Sequence, residues 1–212
     1  MKKIFLNIIL LSFYLSLCCC IKSKTEIKES SQNERLKYKR FSMDNVDANG
    51  KIKSTAEIYV DTNNDTIYNQ FKKFDKNGNI DKSKSEYFDF ELRKDTLNNI
   101  YSGKVTYYNI LDYKLKSPVI EKDLKLIFFQ KLDDSTDVVE FSSKDQNFVE
   151  FEFYNKNDSL IGMLFEYRVL DTLINNEKMA RIIETYHAVD NLILTDNPFI
   201  ETFEINHKVV YD

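Results

Sequence analysis

Apolar and charged side chains alternate strictly in Val149-Glu150-Phe151-Glu152-Phe153, and the fold class follows from this stretch. A period of two residues is typical of a β-strand that has one face in the core and the other in solvent. The segment therefore predicts a strand in which Val149, Phe151 and Phe153 are buried while Glu150 and Glu152 are exposed.

A second alternation runs from Phe165 to Val169. Phe165, Tyr167 and Val169 occupy one parity, and Glu166 and Arg168 occupy the other. By the same argument, we expect a strand that has its three apolar side chains in the core and its two charged side chains in solvent.

The C-terminal segment shows the same period. One parity holds Phe203, Ile205, His207, Val209 and Tyr211. We therefore expect a last strand, with His207 packed on its apolar face.

Two other segments, residues 124–129 and 182–189, are apolar at both parities, which is typical of central strands buried on both faces. Between the expected strands lie residues that tolerate a positive φ, as tight hairpin turns require. These turn candidates are Asn49-Gly50, Asn77-Gly78, Asn157-Asp158 and Asn175-Asn176. Strand, turn and strand repeat along the chain. The predicted fold is therefore all-β, an antiparallel meander that forms a sandwich or a partly open barrel.

The first twenty residues have the sequence MKKIFLNIILLSFYLSLCCC. Two lysines precede an apolar run that ends at Leu17, and this run is shorter than the ~20 residues that cross a bilayer as a helix. Residues 1–20 are therefore predicted to be a signal peptide. Residues 21–40 are polar and charged and predict a flexible tether, and residues 41–212 are predicted to form a single β-rich domain.

Cysteine at the end of such a run resembles the lipobox of bacterial lipoproteins, and this resemblance covers residues 1–20 only. The family pattern places Leu three positions before the modified cysteine and a small residue directly before it. Leu17 and Cys19 supply these features for Cys20, and Cys19 and Cys18 are the alternative lipidation sites. The resemblance implies a lipid (palmitate-bearing) anchor and a location in the bacterial cell envelope, with the outer membrane favoured over the inner membrane.

The charge of the chain is mixed and not basic. The 30 Lys and Arg residues stand against 34 Asp and Glu residues, giving a net charge of -4, and both signs are interspersed. A nucleic-acid-binding protein normally shows a basic patch or tail, so we expect no nucleic-acid partner. The expected partners are a membrane, through the lipid anchor, and a protein or small-molecule ligand.

Histidine and glycine are too sparse for the common catalytic motifs. The chain has two histidines, His187 and His207, and its four glycines are too scattered for a nucleophile elbow, a phosphate loop or a dinucleotide fingerprint. His187 stands beside Tyr186 in a segment that is apolar at both parities, which predicts a packed histidine. We therefore predict no catalytic residue and no cofactor.

One segment places oxygen-bearing side chains at the spacing of a calcium loop. Asp75, Asn77, Asn79, Asp81 and Glu86 match positions one, three, five, seven and twelve of such a loop. The sixth position lacks the glycine that the loop needs for its bend, and Asp and Asn are also the residues of hairpin turns. We favour a turn and keep these five residues as the candidate metal site.

An anchor, a tether and a β-domain without a catalytic motif predict a non-catalytic binding module for a protein or small ligand at the cell envelope. One alternative is an envelope assembly or protective accessory protein, which would present a large apolar or charged patch. Another alternative is a hydrolase of envelope glycan or lipid that works through two carboxyl groups.

Overall fold

Strands make up most of the computed structural model, which describes residues 37–174 and 177–205. The strands are β1 (Tyr38–Val46), β2 (Ile52–Asp61), β3 (Thr66–Lys73), β4 (Tyr87–Asp95), β5 (Ile100–Tyr108), β6 (Val119–Lys131), β7 (Thr136–Lys144), β8 (Phe148–Tyr154), β9 (Ile161–Ile174), β10 (Glu177–Asp190) and β11 (Leu194–Thr195). The helices are short: α1 spans Leu111–Lys114, and two 3-10 helices span Lys82–Lys84 and Pro198–Ile205. Within the described residues, no helix is long and apolar enough to cross a membrane.

The strands form three antiparallel sheets, with the orders β11-β1-β2-β3, β10-β9-β6-β7 and β4-β5-β8. Many neighbouring strands are consecutive in the chain and are joined as hairpins, as a meander requires. The pairs β1–β11, β5–β8 and β6–β9 connect strands that are distant in the chain. The prediction of an all-β, antiparallel fold is confirmed.

The faces of β8 are those that the sequence predicts. Val149, Phe151 and Phe153 are buried, and Glu150 and Glu152 are exposed. The buried face packs on the β10-β9-β6-β7 sheet, so the two sheets lie as stacked layers around one core.

Aromatic rings fill the space between these two layers. Phe128 of β6 stacks on Phe153 of β8 with ring centroids 4.8 Å apart, and Phe151 stacks on Phe90 of β4 at 5.5 Å. Such ring pairs add to the free energy gained by burying apolar surface. The β11-β1-β2-β3 sheet has a smaller core of its own, in which it meets β10 and the second 3-10 helix.

Two segments are apolar at both parities, and the prediction of a central strand is confirmed for one of them and wrong for the other. Residues 124–129 lie in β6, between β9 and β7, as expected of a central strand. Residues 182–189 lie in β10, which is an edge strand of its sheet, so the prediction of a central strand is wrong there. The edge is covered at Ala188, whose N–H and C=O both bond the side chain of Asn69, at 2.8 and 3.0 Å. Coverage by a neighbouring sheet explains why His187, Ala188 and Val189 are buried although they lie on an edge strand.

The turn predictions hold at Asn49-Gly50 and Asn77-Gly78. Gly50 and Gly78 lie in hairpin turns with φ of 78° and 90°, a conformation that glycine adopts without strain. Asn157-Asp158 connects β8 to β9, but these strands lie in different sheets and neither residue has a positive φ, so the prediction of a hairpin turn is wrong there. Asn175-Asn176 lies outside the described residues.

The expected last strand is replaced by a helix over its first part. Phe203 and Ile205 belong to the 3-10 helix Pro198–Ile205, so the prediction of a strand is wrong for them. Asn197 begins this helix, because its Oδ1 accepts a hydrogen bond from the backbone N–H of Phe199 at 3.0 Å. The remainder of the expected strand lies outside the described residues.

Candidate functional site

A network of mostly buried polar side chains lies where the three sheets meet, and we call it the junction network. Its members come from β3, β5, β6, β9, β10 and α1 and from the segments beside them. They are Asn69, Glu86, Tyr107, Asn109, Asp112, Lys122, Glu166, Arg168 and His187. Polar groups are buried to this extent where they are paired or where function requires them. We therefore take the junction network as a candidate functional site.

Glu166 and Arg168 are the most deeply buried charged groups of the network, and they invert the predicted faces of β9. Their side chains are 1% and 2% exposed and share the core-facing side of the strand with Leu164 and Leu170. The sequence alternation placed them in solvent, and that prediction is wrong. Nε of Arg168 donates a hydrogen bond to Oε2 of Glu166. Pairing of opposite charges is what permits their burial.

Three further groups hold this ion pair in place. Asn109 donates from Nδ2 to Oε2 of Glu166 at 2.8 Å, and Nζ of Lys122 lies 3.4 Å from Oε1 of Glu166. Asp112 on α1 contacts Nη1 of Arg168 at 2.8 Å. Burial acts to lower the pKa of Arg168, but Glu166 and Asp112 outweigh burial and raise this pKa. The guanidinium therefore stays charged, and this part of the network is ionic.

A second branch of the network joins His187, Tyr107 and Glu86. His187 is buried, as predicted, and its Nε2 lies 2.9 Å from the Tyr107 hydroxyl oxygen. The same hydroxyl lies 3.1 Å from Oε1 of Glu86. Burial, together with Glu86 and Glu166, raises the pKa of Tyr107 well above its usual range, so the hydroxyl keeps its hydrogen.

The hydrogens of this branch can be counted. Nδ1 of His187 contacts the backbone oxygen of Asn69, which can only accept, so Nδ1 carries a hydrogen. Tyr107 has one hydroxyl hydrogen and can donate it to Glu86 or to His187, but not to both. The Tyr107 hydroxyl therefore lies between the imidazole of His187 and the carboxylate of Glu86.

Asn69 ties the first sheet to this branch through a β-bulge. It is the extra residue of β3 in the register between β2 and β3. Its side-chain amide donates to Oε1 of Glu57 at 2.7 Å and to the carbonyl oxygen of Ala188 at 3.0 Å. Bulges commonly redirect a side chain in this way. Because of the bulge, the side chain of Asn69 forms hydrogen bonds with both its own sheet and the sheet that contains β10.

Of the junction network, the sequence singled out His187 as a packed histidine and Glu86 as a candidate metal ligand, but it did not predict that the nine residues meet. A signal was present in β9, where Glu166 and Arg168 have opposite charge and stand two residues apart, on one face of a strand. Leu164 and Leu170 flank them at the same parity. A charge pair enclosed by leucines on one face indicates a buried ion pair as readily as a solvated face.

Asp190, at the end of β10, is a buried carboxylate outside the junction network. Its Oδ2 accepts from the Tyr59 hydroxyl at 3.2 Å, and its Oδ1 accepts from the N–H of Leu192 at 3.1 Å. Burial raises the pKa of Asp190, although Arg40, 3.7 Å away, opposes this shift. The side chain has no exposed surface, so it joins the first sheet to β10 and does not face a substrate.

The first half of the candidate calcium loop is a hairpin turn. Oδ1 of Asp75 accepts hydrogen bonds from the backbone N–H groups of Asn77 and Asn79, at 2.8 and 2.9 Å. The N–H of Asn79 and the other turn amides lower the pKa of Asp75. These contacts form the turn that we favoured over a metal site.

The second half of that segment turns away from the first. Asp81 caps the 3-10 helix Lys82–Lys84, accepting from the Ser83 hydroxyl at 2.6 Å and from Nζ of Lys84 at 2.9 Å. Glu86 contacts Tyr107 of the junction network. Among the described residues, no group of three or more His, Cys, Asp or Glu side chains is arranged to hold a metal ion.

The paired strands β9 and β10 extend beyond the sheet that contains them, and we call this extension the β9–β10 arm. β6 pairs with β9 only as far as Leu170, while β9 and β10 continue to pair to Ile174 and Glu177. Four residues of strand reach about 13 Å. Leu173 and Met179 of the arm are 69% and 47% exposed. An exposed two-stranded ribbon with apolar side chains is typical of a surface that is covered by a partner.

Other predicted site residues lie outside the described residues. These are the lipidation site Cys20, its alternatives Cys19 and Cys18, and His207.

Comparison of the chain with protein-family models, with curated proteins and with solved structures finds no match.

Proposed function

We propose that the protein is a lipoprotein of the bacterial cell envelope, anchored through Cys20, and that its β-rich domain is a non-catalytic binding module for a protein partner. The anchor is supported by the signal-peptide pattern and by the lipobox resemblance at Leu17 and Cys19. β1 begins at Tyr38, within the predicted tether, so residues 21–37 would connect anchor and domain. A chain of that length spans at most about 60 Å. The outer membrane is the favoured location.

Metabolic labelling with a palmitate analogue tests the anchor. We expect the wild-type protein to carry the label and Cys20→Ser to lose it. Cys18→Ser and Cys19→Ser are the matched controls and should keep the label. If a variant with all three cysteines changed to serine keeps the label, the lipoprotein proposal is wrong.

The binding role is carried by one observation, the exposed apolar side chains of the β9–β10 arm. Leu173 and Ile182 project from one face of the ribbon and Met179 from the other, and Ile182, at the base, is 56% exposed. A two-stranded ribbon offers an extended surface, whereas a small ligand is usually held in a concave pocket. The arm therefore supports a protein partner over a small ligand.

Site-specific photo-crosslinking in cells tests the arm. A photoreactive residue at Leu173 should give one discrete adduct with a second protein. The control is the same residue at Leu97, which is 92% exposed in the turn between β4 and β5 and should give no such adduct. Ile182→Asp should weaken the Leu173 adduct, because it places a charge in the contact. Equal crosslinking from Leu97 and Leu173 would contradict the binding role of the arm.

The two alternative functions, an accessory protein and a hydrolase, would require different features of the structure. An accessory or protective protein would also use the arm, and the identity of the crosslinked protein separates it from a general binding module. A hydrolase needs two carboxyl groups that a glycan or lipid can reach. Glu166 and Asp190 are enclosed by protein, which is why we favour binding over hydrolysis.

A further inference from the structure

One face of the first sheet carries exposed apolar side chains in two adjacent cross-strand rows, and we call it the β1–β3 patch. Residues that pair directly across antiparallel strands project from the same face. The rows are Phe41–Ile58–Tyr68 and Met43–Ala56–Phe71. Phe41, Met43, Tyr68 and Phe71 are between 37% and 59% exposed, while Ile58 is buried beneath them.

Basic side chains border this patch. The row before it is Lys39–Val60–Thr66, and the row after it is Asn45–Ser54–Lys73. On the face defined by these four rows, β1, β2 and β3 contribute two lysines and no acidic residue. Glu86 pairs with Phe71 at the edge of the patch, and its carboxylate contacts Tyr107.

We propose that the β1–β3 patch docks the domain onto an anionic phospholipid surface. This inference rests on the proposed lipid anchor, because the anchor places the domain beside a membrane. Aromatic and methionine side chains insert at the boundary between headgroups and acyl chains, and lysines beside them attract anionic headgroups. The patch has both properties on one face.

The position of the β1–β3 patch in the chain supports a membrane as the surface that the patch contacts. Phe41 and Met43 lie on β1, the strand that directly follows the segment leading from Cys20. The anchor would therefore hold β1 within about 60 Å of the bilayer. A second copy of the chain fits less well, because a symmetric dimer through the patch would bring Lys39 and Lys73 of both copies into the same contact.

A single tryptophan can report on docking, since the chain contains none. Tyr68→Trp places an indole within the patch. Val138→Trp is the matched control, because Val138 is 60% exposed and Tyr68 is 59% exposed, and Val138 lies on β7 of another sheet. The lipidated protein is reconstituted into vesicles of equal parts phosphatidylethanolamine and phosphatidylglycerol that contain brominated lipid. Tryptophan fluorescence and vesicle flotation are then measured.

We expect the indole of Tyr68→Trp to be quenched by brominated lipid and its emission to shift to the blue. The Val138→Trp indole should show neither change. Each lysine beside an anionic surface favours binding about fivefold, so Lys39→Gln together with Lys73→Gln should lower the ratio of docked to undocked domain about 30-fold. In vesicles of phosphatidylethanolamine alone, the same two substitutions should have little effect.

Flotation separates failure of the anchor from failure of docking. Protein that does not float with the vesicles has no anchor, which overturns the proposed function. Protein that floats while the Tyr68→Trp indole is unquenched is anchored but not docked, which overturns this inference. Equal quenching at both positions overturns it as well. So does a blue shift that depends on protein concentration without vesicles, since that identifies a second copy as the occupant.

Discussion

Arg168→Met should destabilise the domain strongly, because it removes the cation from a buried ionic network. The substitution keeps an unbranched apolar stem but loses the bond to Glu166 and the 2.8 Å contact with Asp112. Breaking a buried ion pair by removing one partner costs about 3–5 kcal/mol. Glu166 would keep Asn109 at 2.8 Å and Lys122 at 3.4 Å, which places the expected loss near the lower end, about 3 kcal/mol.

Urea unfolding followed by circular dichroism measures this loss. For a domain of this size, about 3 kcal/mol corresponds to a fall in melting temperature of roughly 10 °C. The matched control is Arg181→Met, the same change at an exposed position of β10, which should stay within about 0.5 kcal/mol of wild type. A loss for Arg168→Met below about 1 kcal/mol would refute the claim that the network holds the sheets together.

The other predictions concern packing, turn geometry and acid. Phe151→Ala should cost about 3–5 kcal/mol in urea unfolding, since Phe151 is buried in the aromatic core. Gly103→Ala should reduce soluble yield and stability, because the new Cβ would overlap the backbone oxygen of Glu91, whereas Gly50→Asn fills open space in a positive-φ turn and should be tolerated. Because the N–H of Asn79 lowers the pKa of Asp75, this carboxylate stabilises the fold above the ordinary pKa of Asp and stops doing so as the pH falls through the lowered value. The difference in melting temperature between Asp75→Asn and wild type should therefore shrink on acidification, and a constant difference would contradict this reasoning.

The local sequence pattern was sufficient to predict the buried face of β8 but not that of β9. In Val149–Phe153 one parity is apolar and the other is charged, so only one face can enter the core. In β9 both parities carry apolar residues, since Leu164 and Leu170 alternate with Phe165 and its neighbours. Hydrophobicity then predicts a strand but does not determine which face is buried. We expect the partners of Glu166 and Arg168, which lie elsewhere in the chain, to determine it.

The candidate site could not be predicted because its members meet through long-range pairing. Asn69 and His187 are 118 residues apart and come together only when β3 lies beside β10. Tyr107 reaches them from the third sheet. A local alternation contains no information on which sheets become neighbours. The turns, in contrast, depend on the residues of the turn itself, and Gly50 and Gly78 were identified from the sequence.

We expect the ionic network also to select the register of β9. A shift of one residue against β6 would turn Phe165, Tyr167 and Val169 toward the core and expose Glu166 and Arg168. That arrangement buries more apolar side chains, and the charged partners of the network oppose it.

A variant without the pair, Glu166→Leu with Arg168→Met, tests this role. We expect it to unfold within about 1 kcal/mol of wild type or to be more stable, because a buried ion pair replaced by apolar side chains is often neutral or stabilising. Without the charges, a second register should be populated, and NMR cross-strand contacts should show a second set beside the wild-type pairing of Leu126 with Leu164. If only the wild-type pairing is present, the apolar pattern and the turns set the register, and the ion pair does not.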